Sequence, residues 1–174
     1  MIERKEKMKK FYLLVVALVV TMTASAQFEQ GKTYISASLS GLDLNYNGST
    51  KFSCGLEAKG GYFLEDNLML MGNVGYTRVG GDDPSPDRFV FGAMGRYYII
   101  QNGIYLGAGV NYKHSNHSYN DIMPTVEVGY AFFINRTVTI EPALYYEQSM
   151  KNHGDYSNVG IRLGLGVYLF TNKN

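Results

Sequence analysis

Apolar and polar side chains alternate with a period of two through every segment after residue 26 that is not turn-like. Strict alternation is typical of β-strands, because successive side chains point to opposite faces of a sheet. None of these segments has the spacing of three and four residues that marks an amphipathic helix. The sequence therefore predicts an all-β, antiparallel fold of eight strands. They lie at Thr33–Ser40, Phe52–Leu64, Leu68–Arg78, Phe89–Ile100, Ile104–Lys113, Met123–Phe133, Val138–Glu147 and Val159–Phe170.

The composition agrees with this class of fold. The chain has 174 residues, with 20 Gly, 15 Tyr and only 18% charged residues. Such a composition argues against a helical bundle and against a disordered chain. The formal net charge of +1 offers no electrostatic footprint for nucleic acid, so no nucleic-acid partner is expected. The single cysteine excludes an intrachain disulfide and a zinc site built from cysteines.

The N-terminus has the three parts of a secretory signal peptide. Basic residues up to Lys10 precede an apolar run, Phe11 to Val20, and Ala24-Ser25-Ala26 supplies the small residues of a cleavage site. The apolar run is shorter than the roughly 20 residues that a membrane-spanning helix needs. We therefore predict a signal peptide at residues 1–26 and one β-domain at residues 27–174.

The predicted connections alternate between short turns and long polar loops. Short turns follow strands two, four and six, at Glu65-Asp66, Gln101-Asn102-Gly103 and Asn135-Arg136. Long loops lie at Gly41–Lys51, Val79–Arg88, His114–Ile122 and Gln148–Asn158. Short turns at one end and long loops at the other are typical of an up-and-down β-barrel that spans an outer membrane.

One face of the predicted strands carries aliphatic residues at mid-strand and aromatic residues near the strand ends. Amphipathic rings are selected at the two interfaces between water and lipid, whereas a water-excluded core has no reason to sort its aromatics in this way. We therefore expect this face to contact lipid. The predicted aromatic belts consist of Tyr62, Tyr97 and Tyr130 at the short-turn end and Tyr76, Tyr112 and Tyr146 at the long-loop end.

The opposite face carries three acidic and three basic residues, which balance. The interior of an eight-stranded barrel is just wide enough for side chains to fill it, and enclosed charges must be paired. The sequence predicts a charge network that fills the barrel and leaves no wide pore. Its members are Glu57, Lys59, Arg96, Glu127, Glu141 and Arg162, with Glu127 and Glu141 as the expected partners of Arg96.

The last strand reads Gly164-Leu165-Gly166-Val167-Tyr168-Leu169-Phe170. With the signal peptide, the eight alternating strands and the alternating connections, it makes the chain resemble the small OmpA/OmpX-type bacterial outer-membrane β-barrel proteins. The resemblance implies a Gram-negative outer-membrane location and insertion by the barrel-assembly machinery, with Tyr168 and Phe170 as the assembly signal. It also implies a monomer in contact with outer-membrane lipid and lipopolysaccharide.

Two features depart from the family pattern. Phe170 is followed by four more residues, and strict alternation places it on the same face as Arg162. Pro142 lies inside the seventh strand, where a closed barrel needs every backbone N–H, so we expect a bulge there.

No group of residues indicates catalysis. His114, His117 and His153 all lie in predicted loops, and none stands in a spacing that pairs a nucleophile with an oriented base. We predict no catalytic, cofactor-binding or metal-binding residue and no cofactor. The expected role is that of a non-enzymatic outer-membrane barrel with a structural or surface-interaction function, whose loop partner the sequence does not specify. The alternatives are a soluble, secreted, lipocalin-like ligand-binding barrel and a lipid-modifying outer-membrane enzyme.

Overall fold

The computed structural model describes residues 27–45, 53–79, 88–99, 103–115, 119–151 and 153–169. The predicted signal peptide, His117 and Phe170 lie outside these residues. Across the described ranges, no helix is both long and apolar enough to cross a membrane.

The described residues form one antiparallel sheet that closes on itself. Neighbouring strands pair in sequence order from β1 to β6 and again from β7 to β9, while β1–β9 and β6–β8 pairings complete the ring. The strands are β1 (Thr33–Asn45), β2 (Ser53–Glu65), β3 (Leu68–Val79), β4 (Arg88–Tyr98), β5 (Ile104–Ser115), β6 (Tyr119–Tyr130), β7 (Phe132–Phe133), β8 (Val138–Glu147) and β9 (Asn158–Leu169), with a single-turn helix α1 (His153–Tyr156) before β9. Because β7 continues the line of β6, the ring has eight strand positions, and the predicted eight-stranded antiparallel barrel is confirmed.

The gap between β6 and β7 lies opposite Pro142. The pairs Gly129–Ala143 and Phe132–Ile140 keep one common register on either side of the gap. Proline has no N–H to donate, so the β6–β8 ladder is interrupted at this level. On the other side of the chain, the Ala131 N–H faces β5 and donates to the Gly103 carbonyl of the turn before that strand, at 2.8 Å.

The predicted bulge at Pro142 is wrong. Pro142 pairs with Leu163 of β9 without a shift in register, so the proline interrupts one ladder but displaces no residue. The register shifts lie elsewhere, between Ser40 and Leu42 where β1 meets β9, and between Phe63 and Glu65 where β2 meets β3.

Strands at the long-loop end run further than predicted. β1 continues to Asn45, β5 to Ser115, and β6 already begins at Tyr119. The predicted long connection His114–Ile122 is therefore wrong, since only residues 116–118 separate the two strands. Polar residues on both faces suggest a loop in sequence, but a barrel strand that projects beyond the lipid is wetted on its outer side and needs no apolar face there.

The turns at the opposite end follow the predicted chemistry. Asn67, after Asp66, adopts a positive φ of 67°, a backbone region that Asn tolerates better than most residues. In the turn from β7 to β8, the Oδ1 atom of Asn135 accepts hydrogen bonds from the N–H groups of Thr137 and Val138, each at 2.8 Å. Side-chain capping of this kind is why Asn marks tight turns.

Polarity is inverted relative to a water-soluble barrel. Large aliphatic side chains face outward, with Leu56 62% exposed and Leu163 55% exposed. Charged side chains face inward, with Arg96 2% and Glu127 4% exposed. Water would penalise such an exposed apolar band, whereas a bilayer requires it.

Candidate functional site

The six tyrosines of the predicted belts all lie on outward-facing strand positions. Those at the short-turn end stand near the ends of β2, β4 and β6, and those at the long-loop end stand near the ends of β3, β5 and β8. Four are exposed and two are half-buried among their neighbours. The exposed ones are Tyr62, Tyr76, Tyr97 and Tyr112, and the half-buried ones are Tyr130 and Tyr146.

Arg96 lies at the centre of the barrel interior, between two carboxylates. Its Nη1 atom is 2.8 Å from Glu141 Oε2, and its Nη2 atom is 2.9 Å from Glu127 Oε1. The guanidinium also lies over the ring of Tyr105, 3.9 Å from its centroid. Charge-assisted hydrogen bonds of this length are strong, and they hold a fully enclosed cation in place.

Glu127 extends the ion pairs toward the long-loop end. Its Oε2 atom is 3.0 Å from Arg162 Nη1 and 3.6 Å from Lys59 Nζ. Arg162 Nε lies 3.0 Å from Glu57 Oε2, and Lys59 Nζ is 3.9 Å from the same oxygen. The structure thus brings all six predicted charges into one connected group, which we call the ion-pair network.

An additional ion pair continues this group, and the sequence analysis missed it. Lys113 Nζ is 2.5 Å from Glu147 Oε2, and Asn111 Nδ2 donates to Glu147 Oε1 at 2.8 Å. Both charges lie on the inward parity of their strands, which is the signal that could have identified them. They were missed because each stands at the end of a predicted strand, where the loop was taken to begin.

Small residues on the inward face make room for these long side chains. Gly107 of β5 pairs with Arg96 on one side and with Glu127 on the other. A Cβ atom at Gly107 would stand 2.6 Å from Glu127 Cγ, closer than any real contact. The same holds at Gly166 of β9, where a Cβ would collide with the carboxylate of Glu141. These glycines are needed for close approach, which is one use of glycine within strands.

Four tyrosines cover the short-turn side of the network, and we call them the tyrosine layer. Tyr34 OH donates to Glu141 Oε2 at 2.6 Å, and Tyr168 OH donates to Glu141 Oε1 at 3.0 Å. The hydroxyls of Tyr98 and Tyr168 are 2.8 Å apart. The layer is completed by Tyr105, and all four rings are at most 1% exposed.

The predicted assembly signal consisted of Tyr168 and Phe170, and the structure describes the position of Tyr168. Tyr168 faces the barrel interior, where its hydroxyl is bound to Glu141 and its ring contacts Phe133 at a centroid distance of 5.2 Å. Phe170 lies outside the described residues. The last described residue of β9, Leu169, faces outward.

The segment before β1, residues 27–32, contributes a ring that the sequence analysis also missed. Phe28 is 0% exposed and stacks on Tyr98, with ring centroids 3.9 Å apart and planes inclined by 16°. Phe63 and Phe133 lie 6.2 and 5.7 Å from it. The sequence feature that could have identified it is an apolar residue in a polar stretch, directly after the predicted cleavage site.

The two described histidines make single local contacts at the long-loop end. His114 Nδ1 is 2.5 Å from Asn120 Oδ1, and His153 Nδ1 is 2.8 Å from the hydroxyl of Ser157. Ser157 is buried and also accepts a hydrogen bond from the Ser149 N–H at 3.0 Å. Within the part of the chain that the structure describes, no three His, Cys, Asp or Glu side chains are grouped to hold a metal ion.

Comparison with known proteins identifies the family. The model of the outer membrane protein beta-barrel domain matches residues 12–174. The chain belongs to this family. It is an outer-membrane barrel of the small OmpA/OmpX type, and its location is the bacterial outer membrane. The soluble lipocalin-like alternative is inconsistent with this family.

Solved structures of other outer-membrane barrels share the fold. Neisserial surface protein A is 15% identical, with a TM-score of 0.61 over 79% of this chain and 97% of that chain. The N-terminal β-barrel domain of Pseudomonas aeruginosa OprF is 14% identical, with a TM-score of 0.59 over 80% and 98%. Ail of Yersinia pestis is 16% identical, with a TM-score of 0.57 over 80% and 100%. Among curated proteins, no sequence matches the chain.

Proposed function

We propose that this outer-membrane barrel is a non-catalytic envelope protein with a filled interior, which supports its surface loops and has no wide pore. The observation that carries the proposal is the ion-pair network, because Arg96, Glu127 and Arg162 reach across the barrel from different strands. Side chains that bridge the walls occupy the space through which ions would move. Each of them is also held by an opposite charge, which makes displacement costly.

Among the described residues, one cavity that lies beside these side chains is small. A cavity of about 40 Å³ lies in the long-loop half of the interior, lined among others by Asn111, Lys113 and Glu147. Such a volume holds a few water molecules and is far below a continuous channel. General diffusion porins, which conduct freely, use about 16–18 strands to leave an aqueous channel open.

The remaining partners follow from location and are part of the proposal. The apolar band and its tyrosine belts fit contact with outer-membrane lipid and, on the outer side, lipopolysaccharide. Export by the signal peptide would deliver the chain to the periplasm, and the barrel-assembly machinery would insert it as a monomer. The surface loops would carry a structural or interaction role with an unspecified partner, and no enzymatic reaction is assigned.

The closed interior can be tested by single-channel recording. Purified wild-type protein in a planar lipid bilayer is expected to show no large, steady current. Arg162→Ala, which removes a cation from the network, should raise the frequency of small openings. Leu165→Ala, on the lipid-facing side of the same strand, is the matched control and should leave the recordings unchanged. A wide and stable wild-type current would contradict the filled interior.

A further inference from the structure

Phe28 occupies the short-turn mouth of the barrel although it belongs to no strand. Its ring meets Tyr98 of β4, Phe133 of β7 and Tyr168 of β9, at centroid distances of 3.9, 5.7 and 5.7 Å. These residues stand on separate parts of the barrel wall. A ring that touches all of them lies across the opening and not along one side of it.

The backbone around Phe28 is tied to one side of that opening. The Phe28 carbonyl accepts a hydrogen bond from the Asn67 N–H at 2.7 Å, and the Gly31 N–H donates to the Phe63 carbonyl at 3.0 Å. Gln30 N–H donates to Asp66 Oδ1 at 2.9 Å. The segment is therefore anchored on the β2–β3 turn and delivers its aromatic ring toward the opposite wall.

The two halves of the interior differ in how they are closed. In the long-loop half, the side chains around Lys113 and Glu147 leave the small cavity described above. In the short-turn half, the tyrosine layer is covered by Phe28, which is itself 0% exposed. The aromatic closure on this side therefore combines Phe63 and Phe133 of the sheet with Phe28, a ring supplied by residues 27–32.

We propose that residues 27–32 form a stopper for the short-turn mouth, with Phe28 as its seal. With the stopper docked, water and small solutes are kept from the tyrosine layer on that side, and the interior communicates with water only from the long-loop end. The inference rests on the proposed function, because it gives residues 27–32 a part in keeping the interior of that barrel closed.

Ala131 provides a site at which the seal can be tested. It lies between β6 and β7, is 1% exposed, and belongs to the same buried cluster as Phe28. In a Cys54→Ser background, Ala131→Cys places a single thiol within this buried cluster. Its reaction with a small, membrane-impermeant cationic thiol reagent is measured on the full-length protein in nanodiscs, where both mouths of the barrel are accessible.

The thiol should react slowly when Phe28 is present. Phe28→Ala should speed the reaction by at least about tenfold, since protection of a buried site depends on how rarely the structure covering it opens. Leu64→Ala is the matched control, because it also shortens an apolar side chain near this mouth, but Leu64 lies outside residues 27–32 and is 46% exposed, so the rate should stay unchanged. Unchanged protection in a folded Phe28→Ala variant would overturn the stopper.

Folding of each variant is checked by its heat-dependent shift on a denaturing gel. If Phe28→Ala does not fold, Phe28→Leu keeps the apolar bulk but loses the stack on Tyr98, and it should give an intermediate rate. If the thiol reacted at the same rate in the Phe28→Leu variant as in the protein that retains Phe28, the result would contradict the seal. Channel recordings separate the two proposals. A wide current through the wild-type protein would contradict the filled interior. If the recordings show no wide current but the thiol of Ala131→Cys reacts fast while Phe28 is present, only the stopper is contradicted.

Discussion

Arg96 shows how one side chain organises the barrel interior. It is 2% exposed and contacts both Glu127 and Glu141. The two carboxylates differ in their other contacts, because Glu127 also meets cations, whereas Glu141 otherwise meets hydroxyl groups such as that of Tyr34. Glu141 is therefore the carboxylate that depends on Arg96 for its charge balance.

This asymmetry predicts a compensating pair of substitutions. Arg96→Met leaves Glu141 as an uncompensated enclosed charge and should lower the free energy of unfolding by about 3–5 kcal/mol. Adding Glu141→Gln removes that charge, keeps hydrogen-bonding capacity toward the tyrosines, and should recover most of the loss. Urea titrations of the folded fraction in lipid vesicles would measure both effects.

The control for this pair is Arg96→Met with Glu57→Gln. Glu57 pairs with Arg162 and Lys59 and makes no described contact with Arg96, so no recovery is expected. Equal recovery in both double variants would show that total charge matters and that the specific pair does not.

At the scale of a strand, β9 separates the middle of the lipid-facing band from its edge. Leu163 pairs with Leu39 and Pro142 near mid-strand, whereas Leu169 is the last described residue at the short-turn end. Leu163→Arg should cost about 2–4 kcal/mol, and Leu169→Arg only about 0–1 kcal/mol, because a cation is penalised most at the bilayer midplane. Unfolding titrations in vesicles test this, and a reversed order would contradict the assigned lipid-facing side.

A turn can be tested in the same assay. Asn135→Ala removes an oxygen that accepts hydrogen bonds from two backbone N–H groups and from the Thr137 hydroxyl. Because the turn is exposed and water can replace part of these bonds, we expect a loss of about 1–2 kcal/mol. Arg136→Ala, an exposed change in the same turn, should have no measurable effect. Equal losses in the two variants would show that Asn135 has no special role.

At the scale of the whole molecule, closure of the ring predicts kinetic stability. Opening the barrel exposes the backbone groups of neighbouring strands in lipid or detergent, where they have no alternative partners. Unboiled protein should therefore stay compact in denaturing gels and migrate differently from a boiled sample. Identical migration, together with solubility in the absence of detergent, would contradict the membrane barrel.

The sequence by itself determined the class of fold, the outward-facing apolar side and six of the interior charges. These rest on a side-chain period of two and on local turn chemistry, which are properties of neighbouring residues. The ends of β5 and β6 were misjudged because strand pairing continues beyond the lipid, where local polarity no longer distinguishes strand from loop.

Beyond the expected partners of Arg96, only the tertiary structure decided which charges meet and what closes the barrel. Arg96 reaches Glu127 because Gly107 stands between them on the neighbouring strand, a relation set by register across the sheet. Phe28 lies far in sequence from Tyr98, Phe133 and Tyr168, and its contact with them exists only after the sheet has curved into a ring. Closure of the sheet brings together residues whose sequence positions carry no sign of that contact.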